Sequence, residues 1–404
     1  MVVYPHGPNT GDVVTLLFSD RGRLGDLLIL LAFVAVLIAP LPSLPRLATY
    51  LLAALVLCSP ALWRATTDSR LAACTAALLA YLVLTSLWSG EPNTSDALRM
   101  CVRALVLCCF VLAFADSVAR GAAHERIGRW FAVAGGLVAV AAIGNFLLDP
   151  PPEGRLHGLG RVHNSVTAAQ AFAVVALVAL DSAWRAPAPR WRLLAGACAV
   201  AAILAVLLSG SRAAWAALPL GVAALWLAST TPSRARFTAY LGASAAAMAL
   251  VAAVLATSDL TRDYVLPRGD SFRFAIWESV VADIVRQGLW FGRGILTPDD
   301  TLVGELTFRH VHSMYLAVLF HGGIVGCVLF AAALGGTAFT LVRALGSPDA
   351  RLALALLAAG AVFWLTDGRQ LLDRVGVHWW FFWLPVATAI GIGAGSGRDA
   401  APRG

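Results

Sequence analysis

Of the 404 residues, 59% are hydrophobic and only 13% charged, with a mean hydropathy of +0.77. That is too apolar for a water-soluble globule of this length and places the chain in a bilayer. The formal charge of +7 arises from 30 basic residues, all arginine, against 23 acids. With no lysine in the chain, the use of arginine at a given position says nothing by itself about a site.

Residues 1–23 are polar and carry Arg21 and Arg23 just ahead of the first apolar run. The pattern is that of a signal n-region and h-region without a small-residue cleavage site, which predicts a retained first span. Apolar windows then predict about twelve transmembrane helices, near 24–40, 46–62, 71–88, 100–115, 130–148, 166–183, 193–208, 214–228, 237–256, 314–341, 352–366 and 379–394. No period-two alternation is present, which excludes a β-barrel. The expected fold is an all-α polytopic integral membrane protein, a single transmembrane domain over 1–404 with one long polar loop at 257–309.

Charge divides unevenly between the two sides. With the N-terminus inside, sixteen arginines and nine acids fall on the inner connections and tails, and fourteen of each on the outer ones. All of the excess positive charge is then inside, which predicts a multi-pass inner-membrane protein with its long loop in the periplasm. The seven cysteines all lie within predicted spans and read as packing residues, not disulfides. Trp63, Trp88, Trp130, Trp184, Trp364, Trp379 and Trp380 fall at span ends, where an amphipathic ring suits the headgroup level. Gly135, Gly136, Gly322, Gly323 and Gly326 lie inside spans and predict close helix approach.

Four unusual corners share the outer face: RLHGLGRVHN (Arg155 to Asn164), SGSR (Ser209 to Arg212), the segment Thr257 to Arg309, and DGRQLLDR (Asp367 to Arg374). Within the long segment, Phe272, Ile276, Val280 and Ile284, with Trp277 and Val281, have helical spacing between charges. An amphipathic helix at the membrane surface is expected there.

A guanidinium fork donates two parallel hydrogen bonds to oxyanions and stays charged, so Arg155, Arg161, Arg212, Arg273 and Arg293 are candidates for a phosphate clamp. The alternative for any one of them is to snorkel, cap a helix or pair with an outer acid. Arg212 follows Ser-Gly-Ser in a connection too short to be a solvated face. His310 and His312 precede the tenth span. No HExxH, paired-cysteine or Asp-x-Asp pattern accompanies them, so neither zinc, a diphosphate-bound Mg²⁺ nor any cofactor is expected. His312 at the mouth of a span is either a general base or an interfacial histidine bonded to backbone.

RLHGLGRVHN, SGSRAAW, FRFAIWESVVADIVRQGLWFGRG and HSMYLAVLFHGGIVG, in that order and on one side, resemble the O-antigen ligase and O-antigen polymerase superfamily over about residues 130–330. The resemblance implies metal-independent glycosyl transfer at the periplasmic face. The implied donor is an undecaprenyl-diphosphate-linked glycan and the implied acceptor a sugar hydroxyl of the lipid A core. Carried over by position, Arg212, Arg273 and His312 are the implied catalytic residues. Arg155, Arg161, His163, Arg293, His310 and Trp277 are the implied substrate-binding ones. Ser313 stands where the family has asparagine. Ten residues separate His312 from Gly323, a spacing similar to that of the ligase branch, which favours ligase over polymerase. The long segment is expected to act as a lid bringing Arg273 over a pocket floored by Arg212 and the His312 mouth. A lipid transporter or flippase is the competing class, and it would call for ionisable groups near the bilayer midplane. The spans have almost none, with Arg103 and Asp181 towards their ends.

Overall fold

A computed structural model describes residues 21–59, 69–90, 94–230, 272–303, 306–308 and 310–399, with scattered positions between 233 and 242. Most of the expected span at 237–256, the loop segment 257–271 and Trp63 lie outside the described residues.

The described chain is almost wholly helical: α1 (Arg21–Ile38), α2 (Ser43–Leu57), α3 (Arg70–Leu84), α4 (Thr94–Ala119), α5 (Arg129–Leu148), α6 (Ser165–Arg185), α7 (Pro189–Leu208), α8 (Arg212–Thr230), α9 (Arg273–Gln287), α10 (Met314–Arg343), α11 (Pro348–Thr366), α12 (Val377–Phe381) and α13 (Trp383–Asp399). One short antiparallel hairpin, Thr301–Val303 with Leu306–Phe308, interrupts them. Nine stretches among the described residues are long and apolar enough to cross a membrane. α1 and α2 add two apolar helices where spans are expected, one with charges at its start and one short. The polytopic helical class is thus established, while the count of twelve is not.

α6 is the centre of the bundle. Its span is 78% buried, and it packs on α5, α7, α8 and α11. Alanine at many of its positions lets neighbours approach, and Asn164 caps its first turn by accepting from Val166 N at 2.7 Å. Gly135 and Gly136 do the corresponding work on α5. A Cβ on the first would meet Val175 of α6 at 2.5 Å, and on the second Cys198 of α7 at 2.5 Å. Gly322 and Gly326 receive the Tyr81 ring of α3, and all seven cysteines are free thiols. The tryptophans divide. Trp88, Trp130 and Trp184 are exposed at span ends, whereas Trp364, Trp379 and Trp380 are fully buried in an aromatic core with Phe33, Phe110, Phe330 and Phe382. For these three the headgroup reading is replaced by packing, because neighbouring helices cover the positions.

The helix connections segregate to two ends. At one end Arg120 and Arg126 pair with the buried Asp26 at 2.9 and 3.4 Å, and Arg185 and His124 pair with Asp181 at 2.8 and 3.3 Å. At the other end the four unusual corners meet. Gly160 lies against the backbone of Ile38 and Ala39, Leu156 N donates to Leu208 O, Met314 N donates to Asp367 O, and Gln370 donates to Ile295 O. The common sidedness read from the spans is therefore present in three dimensions.

Candidate active site

The segment from His310 to Ser313 carries the site and is held from every side. Val311 is fully buried with Ile276, Val280 and Ile284 of α9 and Phe320 of α10. Its carbonyl accepts from Trp277 Nε1 at 3.1 Å. Ser313 donates to Trp364 O at 3.1 Å and caps α10 by accepting from Leu316 N. These contacts hold His312 at φ +52°, a left-handed conformation that costs a non-glycine residue about 1–3 kcal/mol and persists only where surroundings impose it. Ser313 thus has a structural task, as helix cap.

His312 is half-buried, and burial pushes its pKa below the ordinary histidine range. Asp367 pulls in the opposite direction, while His310 and Arg273 add to the depression. His310, edge-on to His312 with ring centres 5.9 Å apart, is depressed by burial and by Arg369. Both shifts favour the uncharged imidazole, the state that accepts a proton.

Arg273 is the first residue of α9, which brings its charge to His312. Its Nε is buried with no hydrogen-bond partner among the described residues. Arg155 and Arg212 form a second group. Arg155 Nε donates to Ser209 O at 2.7 Å, with its side chain over Gly210 at φ +61°, so the Ser-Gly-Ser turn folds around it. Arg212 opens α8 two residues later. Gly221 of α8 packs on Ala355 and Ala359 of α11, and the helices run in opposite directions. That register sets Arg212 level with the end of α11, where the Asp367 turn begins.

The remaining candidates are placed differently. Arg161 lines a cavity of about 600 Å³ and donates to Val375 O at 3.3 Å. Arg293 is engaged by both oxygens of Asp283, at 2.6 and 2.8 Å, within its own loop. His163 is exposed at the corner beside Arg161. α9 buries Ile276, Val280 and Ile284 on α10 and leaves Phe272 and Val281 half-exposed. It is docked on the protein, and a separate apolar group, Phe274, Val285, Trp290 and Phe291, faces outward.

Several residues of the site carry no spacing motif. Asp367 accepts from Gln170 Nε2 of α6 at 2.7 Å and, by its carbonyl, from Met314 N, tying the His312 mouth to the central helix. Asp299 is 2% exposed and its carboxylate has no hydrogen-bond partner among the described residues, with Arg369 Nε at 3.5 Å its paired cation. His321 is fully buried, Nδ1 against Gly294 O at 3.0 Å. The signal for Asp367 and Arg369 was their place in the DGRQLLDR corner. Asp299 had none, because only the folded loop buries it. No group of three or more metal-ligating side chains occurs among the described residues.

A polytopic helical membrane protein with arginines and histidines gathered at one end is the class that fold and site define. Residues 197–331 match the family model described as O-Antigen ligase, a stretch that carries Arg212, Arg273 and His312. Over 338 residues, 82% of this chain and 80% of the relative, the sequence is 27% identical to an O-antigen ligase of Pseudomonas aeruginosa. Both similarities are to O-antigen ligases, enzymes of the glycosyltransferase type.

Proposed function

We propose that the enzyme transfers O-antigen glycan from undecaprenyl diphosphate to a sugar hydroxyl of the lipid A core at the periplasmic face of the inner membrane, without a metal ion. The observation that carries this reading is the half-buried His312 held at φ +52° at the mouth of α10, against which α9, headed by Arg273, is docked. In the proposed reaction His312 takes the proton of the acceptor hydroxyl as its oxygen bonds to the anomeric carbon of the donor. The bond from that carbon to the diphosphate oxygen breaks, and undecaprenyl diphosphate leaves with the electron pair. Arg273 and Arg212 meet the charge growing on the diphosphate, and Arg155 braces the turn that presents Arg212. Trp277 and His310 hold and flank the base, and Arg161 lines the cavity that would receive glycan, with His163 exposed at the same corner. Arg293, paired with Asp283, shapes the loop. The loop serves as the lid that carries Arg273, and by itself it is inert.

The test is complementation. Expression in a strain lacking its ligase restores glycan on lipopolysaccharide, whereas expression in a strain lacking the O-antigen polymerase does not restore chain length. The reverse result would make the protein a polymerase, which uses the same donor and a second lipid-linked glycan as acceptor. Arg212→Ala, Arg273→Ala and His312→Ala each abolish transfer with normal insertion, and near-normal activity in two of the three would remove the proposed site.

A further inference from the structure

The 600 Å³ cavity is bordered by a set of arginines separate from the Arg212, Arg273 and His312 group. Arg103 of α4, Arg161 of the 155–164 corner and Arg374 of the last corner all line it. Arg46 of α2 stands close enough that, after burial, its charge and that of Arg374 depress the Arg161 guanidinium. Four guanidinium groups thus arrive from four remote segments. Fewer carboxylates oppose them, Asp96, Asp300 and Asp373 on the cavity wall. Asp373 reaches Arg103 at only 3.9 Å and also accepts from Arg374 N, while Asp96 is paired with Arg99 and Asp299 with Arg369. The Arg46 Nε is buried with no hydrogen-bond partner among the described residues. Like charges held together in a partly desolvated place are unfavourable unless an anion completes them. The same wall presents Trp379, Gln370, Thr167 and Asp300, and aromatic carbon beside hydroxyl, amide and carboxylate groups suits a sugar ring.

We propose that Arg46, Arg103, Arg161 and Arg374 form an oxyanion subsite that recognises an acidic sugar, bearing phosphate or carboxylate, on the acceptor glycan. It is distinct from the arginines assigned to the donor diphosphate, and its assignment to the acceptor rests on the ligase reading. The subsite makes the enzyme selective for charged acceptors, and the aromatic wall sets the ring beside the guanidinium forks.

Binding tests this without requiring turnover. Purified full-length protein in nanodiscs is titrated with glucose 6-phosphate, glucuronate and glucose, and separately with inorganic diphosphate. The charged sugars bind at least about tenfold tighter than glucose, and Arg103→Gln combined with Arg374→Gln removes the difference. Diphosphate binding and the melting curve are retained in that variant. Preference for the phosphate over the carboxylate, or the converse, identifies which oxyanion the subsite takes. Equal binding of all three sugars by the unaltered protein overturns the proposal. Selectivity that survives in a folded variant also overturns it, as does loss of diphosphate binding in parallel with sugar phosphate, which would give the arginines to the donor. For a variant that fails to melt cooperatively, Arg374→Gln alone, on an exposed side chain, decides by the same criterion. Failure of transfer in vivo would sink the ligase reading and leave these titrations unaffected.

Discussion

The proton affinity of His312 is set by burial more than by any single neighbour. Protonation is disfavoured there, so with His312 as the proposed base the transfer rate rises with pH along a one-proton limb whose midpoint lies below the ordinary value of 6.5 and is flat above it. Asp367 opposes the depression, and Asp367→Asn moves the limb to still lower pH in a rate profile at saturating donor. A limb that stays in place would show that Asp367 does not act on the imidazole. The stability consequence has the same sign. The unfolded chain binds the proton more readily, so stability falls as pH drops from the ordinary histidine range toward the lowered folded value. Replacing His312 by alanine removes about 10²–10⁴ in rate if it is the base, read as turnover of purified protein.

At the level of elements, the loop is fastened to the bundle by backbone more than by side chains. Gly292 and Gly323 touch where the loop crosses a break in α10. Gly323 has φ +61°, and a Cβ there would lie 2.4 Å from Gly292 N and 2.5 Å from Trp290 O. Tyr81 Oη donates to Gly322 O at 2.8 Å and to Phe291 O at 3.1 Å, and the Arg293 and Gly294 amides donate to Phe320 and His321 carbonyls. Gly323→Ala therefore destabilises by more than about 1 kcal/mol and loosens the loop, seen as a lower melting temperature and faster proteolysis within 272–303. Ile276→Asp acts on the other attachment. It places a charge in the cluster that holds Val311, and transfer is lost although Arg273 and His312 are both present. Retained activity would show that docking of α9 is dispensable.

Over the whole molecule, the connections sort to two ends, which makes sidedness a single question. In a cysteine-free background, His163→Cys is labelled by a membrane-impermeant maleimide on intact cells whose outer membrane is permeable to the reagent. Arg126→Cys, on an exposed part of the opposite end, is labelled only after the inner membrane is opened. The inverse pattern would turn the site to the cytoplasm and remove the lipid A core as acceptor.

Apolar run length and arginine distribution determined the helical membrane class, the places of the described spans and the grouping of four polar corners on one side, because a bilayer imposes length and satisfied backbone on whatever crosses it. Local pattern also revealed α9 and the glycines of α5 and α10. Sequence could not tell Trp88, left at a span end, from Trp364 and Trp380, buried in an aromatic core, since both kinds follow apolar runs. Nor could it separate Arg293, spent on Asp283, from Arg273, whose charge reaches His312. Those distinctions depend on contacts between residues far apart in the chain. Only the folded bundle sets burial and neighbouring charge, and these decide which arginines and histidines of one polar end face the cavity and the His312 mouth.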